Sequence, residues 1–372
     1  MIAKRLNQLN PYVPGEQPTD REYIKLNANE NAYPASPKVS EAIKEAANDR
    51  MKIALYPDPD ANEIRKAIAD MLNKTGGVFA NDNASSKMNF KITPDMIFCG
   101  NGSDEVLSFV FYTFFDSDRP VILPEHTYSF YPVYCGYYNI PMNRIPLNAD
   151  WTLNKDKMLE EANKSNSAII FANPNAPTGI ALSTSEIEEM IKKAPKDKAF
   201  IVDEAYADFG DESALPLLEK YKNLVIVRTF SKSLSFAGMR LGYIVANPEV
   251  TKSVFMVKNS FNHFPVDYLA KTAAVAACRD SDYYIECAKK IVEQREDFTS
   301  FLKEHGWFVI DSKTNFIFAR KNGRSGDEIY QSAKKQGILI RHFNTKGIDD
   351  FVRITIGTKE QMQALKKALE NL

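Results

Sequence analysis

The 372-residue sequence lacks several features that would mark particular classes of protein. Its cysteines are few, and Cys99, Cys135, Cys278 and Cys287 show neither metal-site spacing nor the density of a disulfide-stabilised secreted protein. No apolar run approaches the roughly 18 residues that span a bilayer. The first residues also lack the apolar stretch of a signal peptide. We therefore expect a soluble, cytoplasmic protein without a membrane segment.

The sequence also lacks an excess of charge of either sign. Its 47 lysines and arginines balance 48 aspartates and glutamates, which gives a formal net charge of −1. This balance offers no electrostatic basis for binding nucleic acid or an anionic membrane. Any anion must therefore be bound by local geometry. The length and the 44% hydrophobic content predict a large core and two domains.

The order of predicted elements indicates an α/β fold. Residues 1–35 lack a hydrophobic period and are predicted to form an N-terminal arm that packs with the small domain. Residues 36–265 alternate apolar runs with helical patterns, which predicts a large three-layer domain around a mostly parallel sheet. Residues 266–372, with one long helix over 268–304, read as a smaller α+β domain. The Gly-, Asn- and Ser-rich stretch 73–89 is predicted to be a loop.

Six strands of the large domain are predicted from runs that are nearly continuous in apolar residues, as in strands buried on both faces of a parallel sheet. They are residues 96–99, 120–123, 168–172, 199–202, 224–227 and 243–246. Ligands of such sheets gather at the carboxyl ends of the strands. Polar motifs follow several of these strands and are the candidates for a site.

The most informative motif is Ser231-Lys232, which follows the strand 224–227 and precedes Arg240 in a glycine-containing turn. A partly desolvated lysine amine attacks an aldehyde and later carries a proton. This arrangement suits an imine with pyridoxal phosphate, whose phosphate is held by neighbouring groups. A lone lysine is usually a solvated surface charge, so the other motifs decide the interpretation.

A phosphate cradle is predicted at 100–105, where a strand ends and a helix begins. The glycines allow close approach, and the N–H groups of Gly102, Ser103 and Asp104 lie at the start of the helix. An ordinary helix cap has the same residue types. The dinucleotide fingerprint GxGxxG is disfavoured because Glu105 stands at its third glycine.

An electron-sink partner is predicted at Asp203, just past the strand 199–202. A carboxylate there holds a pyridine nitrogen protonated, and Tyr206 is placed to donate to the ring's 3-oxygen. A nucleotide-binding acidic residue looks similar, but the chain has no GxxxxGK[ST] sequence. The loop 173–179 offers Asn175 to the same oxygen, and Tyr128 is a candidate to stack on the ring.

In chain order these residues resemble the fold-type I pyridoxal phosphate-dependent aminotransferases, and within them the histidinol-phosphate aminotransferase family. The resemblance covers nearly the whole chain. Its motifs are at 11–15, 25–31, 56–58, 100–105, 203–206, 231–232, 237–240 and 352–358. It implies that Lys232 is the Schiff-base lysine, Asp203 the pyridinium partner and Tyr206 the 3-oxygen donor. It also assigns the phosphate to Ser231, Arg240 and the amides of residues 102–104.

The resemblance further implies a homodimer in which Tyr56 reaches the cofactor phosphate of the neighbouring subunit. Arg353 would bind the anionic end of the substrate, and Arg341 would be a second contact to a substrate phosphate. Tyr12 and Asn29 would close over the substrate. The chain departs from the family at Ala176, where asparagine is usual. Either Tyr206 alone contacts the ring oxygen, or the loop shifts so that Asn175 contributes.

The function implied is amino transfer between glutamate or 2-oxoglutarate and histidinol phosphate or imidazole-acetol phosphate, without a metal. An aminotransferase for aromatic amino acids shares every cofactor motif, because ring specificity depends on pocket shape. A decarboxylase of a phosphorylated amino acid is a further alternative. A non-enzymatic binding protein of the same fold is disfavoured by the intact pair of Lys232 and Asp203.

Overall fold

The computed structural model describes residues 2–370. Within that range the strands are β1 (Ile24–Lys25), β2 (Ile97–Gly100), β3 (Val121–Pro124), β4 (Met142–Ile145), β5 (Ile169–Ala172), β6 (Phe200–Asp203), β7 (Leu224–Thr229), β8 (Gly242–Ala246), β9 (Trp307–Ile310), β10 (Phe316–Lys321), β11 (Ile338–Leu339), β12 (Arg341–His342) and β13 (Val352–Thr355). The α-helices are α1 (Pro37–Asn48), α2 (Arg50–Ala54), α3 (Asn62–Thr75), α4 (Gly102–Phe114), α5 (Tyr131–Tyr138), α6 (Lys155–Ser165), α7 (Thr184–Lys193), α8 (Pro248–Phe261), α9 (Tyr268–Arg279), α10 (Ser281–Glu304), α11 (Gly326–Lys335) and α12 (Lys359–Leu369).

Seven strands form the large sheet, in the spatial order β2-β8-β7-β6-β5-β3-β4. Strands β3 to β7 run parallel, and β8 runs antiparallel to both of its neighbours. The α/β prediction is confirmed, and all six predicted strands are present with ends shifted by no more than two residues. The edge strand β4 was not predicted, because its sequence Met-Asn-Arg-Ile is polar and largely accessible to solvent.

The sheet is buried on both faces, which makes the large domain three layers. Alternate residues of each strand enter different hydrophobic clusters: Phe200 and Val202 pack on one face and Ile201 on the other. Side chains of α4, α5 and α8 belong to the cluster on the Ile201 face. Those of α3, α6, α7 and α9 belong to the opposite cluster. This two-sided burial explains why the strand sequences are apolar without alternation.

The remaining strands form a four-stranded antiparallel sheet, β12-β13-β10-β9, and a two-stranded parallel pair of β1 with β11. The β1–β11 pair joins the N-terminal arm to the C-terminal part of the chain, and Glu16 forms an ion pair with Lys334 of α11 at 2.6 Å. Among residues 2–370, none of the helices is long and apolar enough to cross a membrane.

The predicted helix over 268–304 is interrupted, and this is a correction. The chain breaks into α9 and α10 at Asp280, whose backbone is non-helical. The Asp280 carboxylate accepts hydrogen bonds from the side chains of Ser36 and Lys38 at the start of α1. The predicted loop 73–89 is also partly regular, since α3 continues to Thr75 and a short 3-10 helix spans Ala84–Lys87.

Candidate active site

Two adjoining cavities lie at the carboxyl ends of the parallel strands. The inner cavity, about 190 Å³, is lined by the terminal residues of β5, β6 and β7 and by Ser231, Lys232 and Arg240. The outer cavity, about 470 Å³, reaches Tyr12 and the arginines of the small sheet. The residues shared by both cavities are Ala28, Tyr128, Ala176, Tyr206 and Lys232. A group bound to Lys232 is therefore accessible from either cavity.

The predicted phosphate cradle is assembled at one end of the inner cavity. Helix α4 begins at Gly102, whose φ is +76° and whose missing Cβ would lie 2.5 Å from Nη2 of Arg240. Arg240 donates to Asp104 at 2.8 Å and to the Ser231 hydroxyl at 3.4 Å. Only glycine fits both this backbone conformation and the close approach of the guanidinium. The cation, the hydroxyl and the helix start together suit a phosphate group.

Asp203 ends β6 and lines the inner cavity with 4% of its surface exposed. One carboxylate oxygen accepts a hydrogen bond from the Tyr131 hydroxyl at 2.7 Å, and the other accepts from the Ala205 N–H at 3.1 Å. Burial raises the pKa of Asp203 to about 6, although these two donors act in the opposite direction. A protonated ring nitrogen would favour the ionised carboxylate and offset the cost of burying its charge, so the site fits a pyridinium.

Tyr131 was missed by sequence reasoning, although it lies in the same run as Tyr128. It is fully buried, and its hydroxyl donates only to Asp203 among the bonds found in residues 2–370. Tyr128 lines both cavities and donates to Asp104 at 3.0 Å. The sequence signal that could have identified Tyr131 is its position three residues after Tyr128, at the start of helix α5.

Lys232 projects into both cavities, and its amine donates to the Ala28 carbonyl at 3.2 Å. The turn that carries it is held from two sides. The Asn31 amide donates to the carbonyls of Lys232 and Ser233 at 3.0 and 2.9 Å, and the Ser233 hydroxyl donates to Asp208 at 2.5 Å. Asn31 and Asp208 were not predicted as parts of the site.

The loop 173–179 places Ala176, not Asn175, on the walls of the two cavities. The Asn175 amide donates to the His126 carbonyl at 3.0 Å and to the Thr178 hydroxyl at 3.1 Å. These bonds give Asn175 a role within the protein. Of the two alternatives left by the sequence, the geometry favours the one in which Tyr206 alone faces the ring oxygen.

Tyr56, like Asn175, does not line either cavity of its own chain. Its side chain is 82% exposed and stacks on Phe264 with ring centres 4.6 Å apart. The prediction placed Tyr56 in the neighbouring subunit's site, and an exposed position is what that arrangement requires.

The outer cavity brings together Arg341 and Arg353, which face each other across the β12–β13 pair. Each guanidinium lies 5.5 Å from the centre of the Phe343 ring. Within residues 2–370, neither arginine forms an ion pair with a carboxylate, and Nε of Arg353 is buried without a partner. Burial lowers the pKa of Arg353, and nearby Arg341 lowers it further. Two uncompensated cations indicate an anion site.

Tyr12 and Asn29, for which closure over a substrate was predicted, also line the outer cavity. Tyr12 packs against Phe130 with ring centres 5.3 Å apart. Two further residues of this cavity, His126 and Arg144, were not predicted. His126 lies two residues before Tyr128, which the sequence analysis did name, whereas Arg144 belongs to the unpredicted strand β4.

Comparison with known proteins shows a match of residues 21–369 to the model of the family "Aminotransferase class I and II". A histidinol-phosphate aminotransferase of Syntrophus aciditrophicus (strain SB) is 45% identical over 373 residues, covering 100% of this chain and 98% of the relative. The histidinol-phosphate aminotransferase of Acinetobacter baumannii (strain AYE) is 42% identical, covering 99% of this chain and 96% of its own.

Solved structures give the same fold. The histidinol-phosphate aminotransferase of Sinorhizobium meliloti, solved in complex with pyridoxal-5'-phosphate, matches with a TM-score of 0.81 at 24% identity, over 94% of this chain and 91% of that one. The enzyme of Clostridium acetobutylicum also has a TM-score of 0.81 at 24% identity, over 94% and 98% of the two chains. At this identity the structural likeness supports the fold alone.

Proposed function

Because the chain belongs to the aminotransferase class I and II family and, within it, to the histidinol-phosphate aminotransferases, we propose the following reaction. The enzyme transfers an amino group between L-glutamate or 2-oxoglutarate and histidinol phosphate or imidazole-acetol phosphate, in histidine biosynthesis. Its cofactor is pyridoxal phosphate. The observation that carries the substrate assignment is the pair of arginines, Arg341 and Arg353, which lie beside the lysine-containing inner cavity and have no carboxylate partner among residues 2–370.

The inner cavity supplies a partner for each end of the cofactor. Ser231, Arg240 and the start of α4 would hold its phosphate, and Asp203 would hold its ring nitrogen. Tyr206 would donate to the ring oxygen, and Tyr128 would cover a face of the ring. When bound, pyridoxal phosphate supplies an aldehyde carbon conjugated to an electron-accepting ring.

Lys232 is the proposed covalent anchor and, once released by the incoming amine, the general base for the substrate's α-carbon. Its position in both cavities supports this double role, because the amine is reachable from the cofactor side and from the substrate side. Arg353 and Arg341 orient the substrate by its anionic end. The carboxylate of glutamate and the phosphate of histidinol phosphate would both bind Arg353, and Arg341 would add a second contact to the phosphate.

The proposed assembly is a homodimer in which Tyr56 acts across the interface. The side chain of Tyr56 is surrounded in sequence by exposed apolar residues, and a second exposed group lies on α8. These residues are Met51, Ile53, Leu55, Met256 and Phe261. Sedimentation equilibrium should give twice the 42.0 kDa chain mass. Tyr56→Phe should weaken cofactor binding. A monomeric mass together with unaltered cofactor affinity in Tyr56→Phe would contradict the assembly.

The proposed location is the cytoplasm. All four cysteines are buried and free, which suits a reducing compartment.

A half-reaction screen tests the substrate assignment. The cofactor-loaded protein is mixed separately with histidinol phosphate, histidinol, phenylalanine and glutamate, and the loss of its visible absorbance is followed. Histidinol phosphate should react with a much higher kcat/KM than histidinol, which differs only by the phosphate. A preference for phenylalanine would favour the aromatic alternative, to which the rings of Tyr12 and Phe343 in the outer cavity are suited. Release of carbon dioxide from a phosphorylated amino acid would indicate the decarboxylase.

A further inference from the structure

The side chains of Thr355, Asn29 and Tyr206 form a buried chain of hydrogen bonds that ends at the inner cavity. We propose that Thr355 and Asn29 are positioning residues that keep the Tyr206 hydroxyl proton directed toward the cofactor's ring oxygen. This inference rests on the proposed function, and it gives Asn29 a role other than the substrate contact predicted from the sequence.

The orientation begins at Thr355, the last residue of β13. Its hydroxyl oxygen accepts a hydrogen bond from the Asn29 backbone N–H at 2.9 Å. The hydroxyl lies 3.1 Å from the Asn29 side-chain oxygen, which can only accept. The Thr355 proton is therefore committed to Asn29. The Asn315 amide donates to the Asn29 carbonyl at 3.1 Å and fixes the backbone on the other side.

The next step is the Asn29 carboxamide, which is 1% exposed. With its oxygen toward Thr355, its nitrogen faces Tyr206 and donates to the phenol oxygen at 2.9 Å. Reversing the carboxamide would set its N–H donors against the Thr355 hydroxyl proton unless that hydroxyl turned, and the Asn29 backbone N–H, which points at the same oxygen, opposes that turn. Tyr206 is thus an acceptor for Asn29, and its own proton is free for another partner.

The inner cavity makes this free proton useful. Two phenols line the cavity, and the proton of the other, Tyr128, is committed to Asp104 at 3.0 Å. The wall around Tyr206 includes Ala172, Ala176 and Ala205, which have no side-chain donor. The other hydroxyls of the lining belong to Ser103 and Ser231 at the phosphate cradle and to Thr229 at the end of β7. Tyr206 is therefore the phenol whose proton is available to a ring oxygen, and the direction of that proton has consequences for cofactor binding.

A double-mutant cycle tests the inference, using Asn29→Ala, Tyr206→Phe and the double variant. The first readout is the dissociation constant of pyridoxal phosphate, from titration of cofactor-stripped protein. Each single variant should weaken binding roughly fivefold to tenfold, the contribution of one oriented hydrogen bond. The double variant should bind no more weakly than Tyr206→Phe, because Asn29 acts through Tyr206.

The second readout is the pH at which the visible absorbance of the lysine-bound cofactor changes. A donor withdraws negative charge from the ring oxygen, so its loss should raise this pH. Asn29→Ala and Tyr206→Phe should raise it alike, and Thr355→Val should raise it by a smaller amount. Asn29→Asp has nearly the same size but replaces the donor with an acceptor, which would draw the Tyr206 proton away from the cavity. Asn29→Asp should therefore weaken cofactor binding more than Asn29→Ala does, and it should also raise the pH of the absorbance change further.

Two results would overturn the inference. One is a double variant whose loss equals the product of the two single losses. The other is an Asn29→Ala variant with unaltered cofactor affinity and absorbance but a raised KM, which would restore the substrate-binding assignment. Failure of the proposed function is distinguishable. A protein that does not use pyridoxal phosphate would show no visible absorbance in the wild type, and a different substrate would appear in the half-reaction screen without changing either readout used here.

Discussion

The inner and outer cavities differ in whether their charged side chains have partners within the chain. In the inner cavity the ionisable groups have partners within the chain: Asp104 pairs with Arg240, and Asp203 accepts from Tyr131. In the outer cavity, Arg341 and Arg353 have no carboxylate partner among residues 2–370. The comparison indicates a pre-organised seat for a resident cofactor beside a cationic seat for a transient anion. A substrate must leave after each turnover. The arginines that bind it therefore have no carboxylate partner in the protein before the substrate arrives.

The largest effect is expected from the residue common to both cavities. Lys232→Ala removes the anchor and the general base together, so transamination should fall by at least about 10²–10⁴-fold, the usual contribution of a positioned acid–base group. The steady-state rate with histidinol phosphate and 2-oxoglutarate measures the loss. Lys44→Ala, at an exposed site on α1, is the control and should keep full activity. Wild-type turnover by Lys232→Ala would remove the basis of the mechanism.

Asp203 should make the cofactor-free protein sensitive to pH. Burial raises its pKa to about 6 in the folded state, so the folded protein holds this proton more tightly than the unfolded chain does. The unfolding free energy of the wild type, relative to Asp203→Asn, should therefore fall as pH rises from about 4 to about 6 and stay constant above. The full change is about 3 kcal/mol.

Urea unfolding of both cofactor-free proteins across this pH range measures the difference. Saturating pyridoxal phosphate should flatten the dependence, because a protonated ring nitrogen favours the Asp203 carboxylate at all these pH values. A difference between the two proteins that is the same at every pH would show that Asp203 is not the titrating group.

Substitution of Arg341 should affect the KM values of the two substrates differently. Loss of one charge-assisted contact to a phosphate should raise the KM for histidinol phosphate in Arg341→Gln by about 10–100-fold. The KM for glutamate should change much less, since Arg353 remains to bind a carboxylate. Arg324→Gln, in an exposed loop, serves as the matched control. Equal effects on both substrates would contradict a phosphate-specific contact.

The smallest effect is expected at Tyr131. Tyr131→Phe keeps the ring in its buried site and removes only the donor to Asp203. The affinity for pyridoxal phosphate should fall roughly fivefold, and the pH dependence of cofactor-free stability should move to higher pH because the carboxylate loses a donor. Unchanged values of both quantities would show that the inner cavity does not depend on this bond.

The two cavities also differ in how far sequence reasoning could predict them. The inner cavity is built from short motifs at strand ends, so Lys232, Asp203 and Arg240 were recognisable from their neighbours in the chain. Its supporting residues were not, because Asn31 and Tyr131 reach the site through tertiary packing. Asn175 shows the same limit: its loop was located, but the direction of its side chain depends on His126 and Thr178.

The fold was predictable where burial dictates the sequence. Strands β5 to β7 are apolar on both faces and were found within two residues of their ends. The edge strand β4 carries no such signal, and with it Arg144 was missed. The break at Asp280 was also hidden, because the carboxylate there contacts Ser36 and Lys38, more than 240 residues earlier in the chain.

The most direct measurement is to fix the cofactor where it binds. The protein is loaded with pyridoxal phosphate, reduced with sodium borohydride so that the carbon–nitrogen bond becomes permanent, digested and analysed by mass spectrometry. The account predicts one modified peptide, with the pyridoxyl group on Lys232, and no such peptide from Lys232→Ala. Modification of a different lysine, or no stable adduct in the wild type, would contradict it.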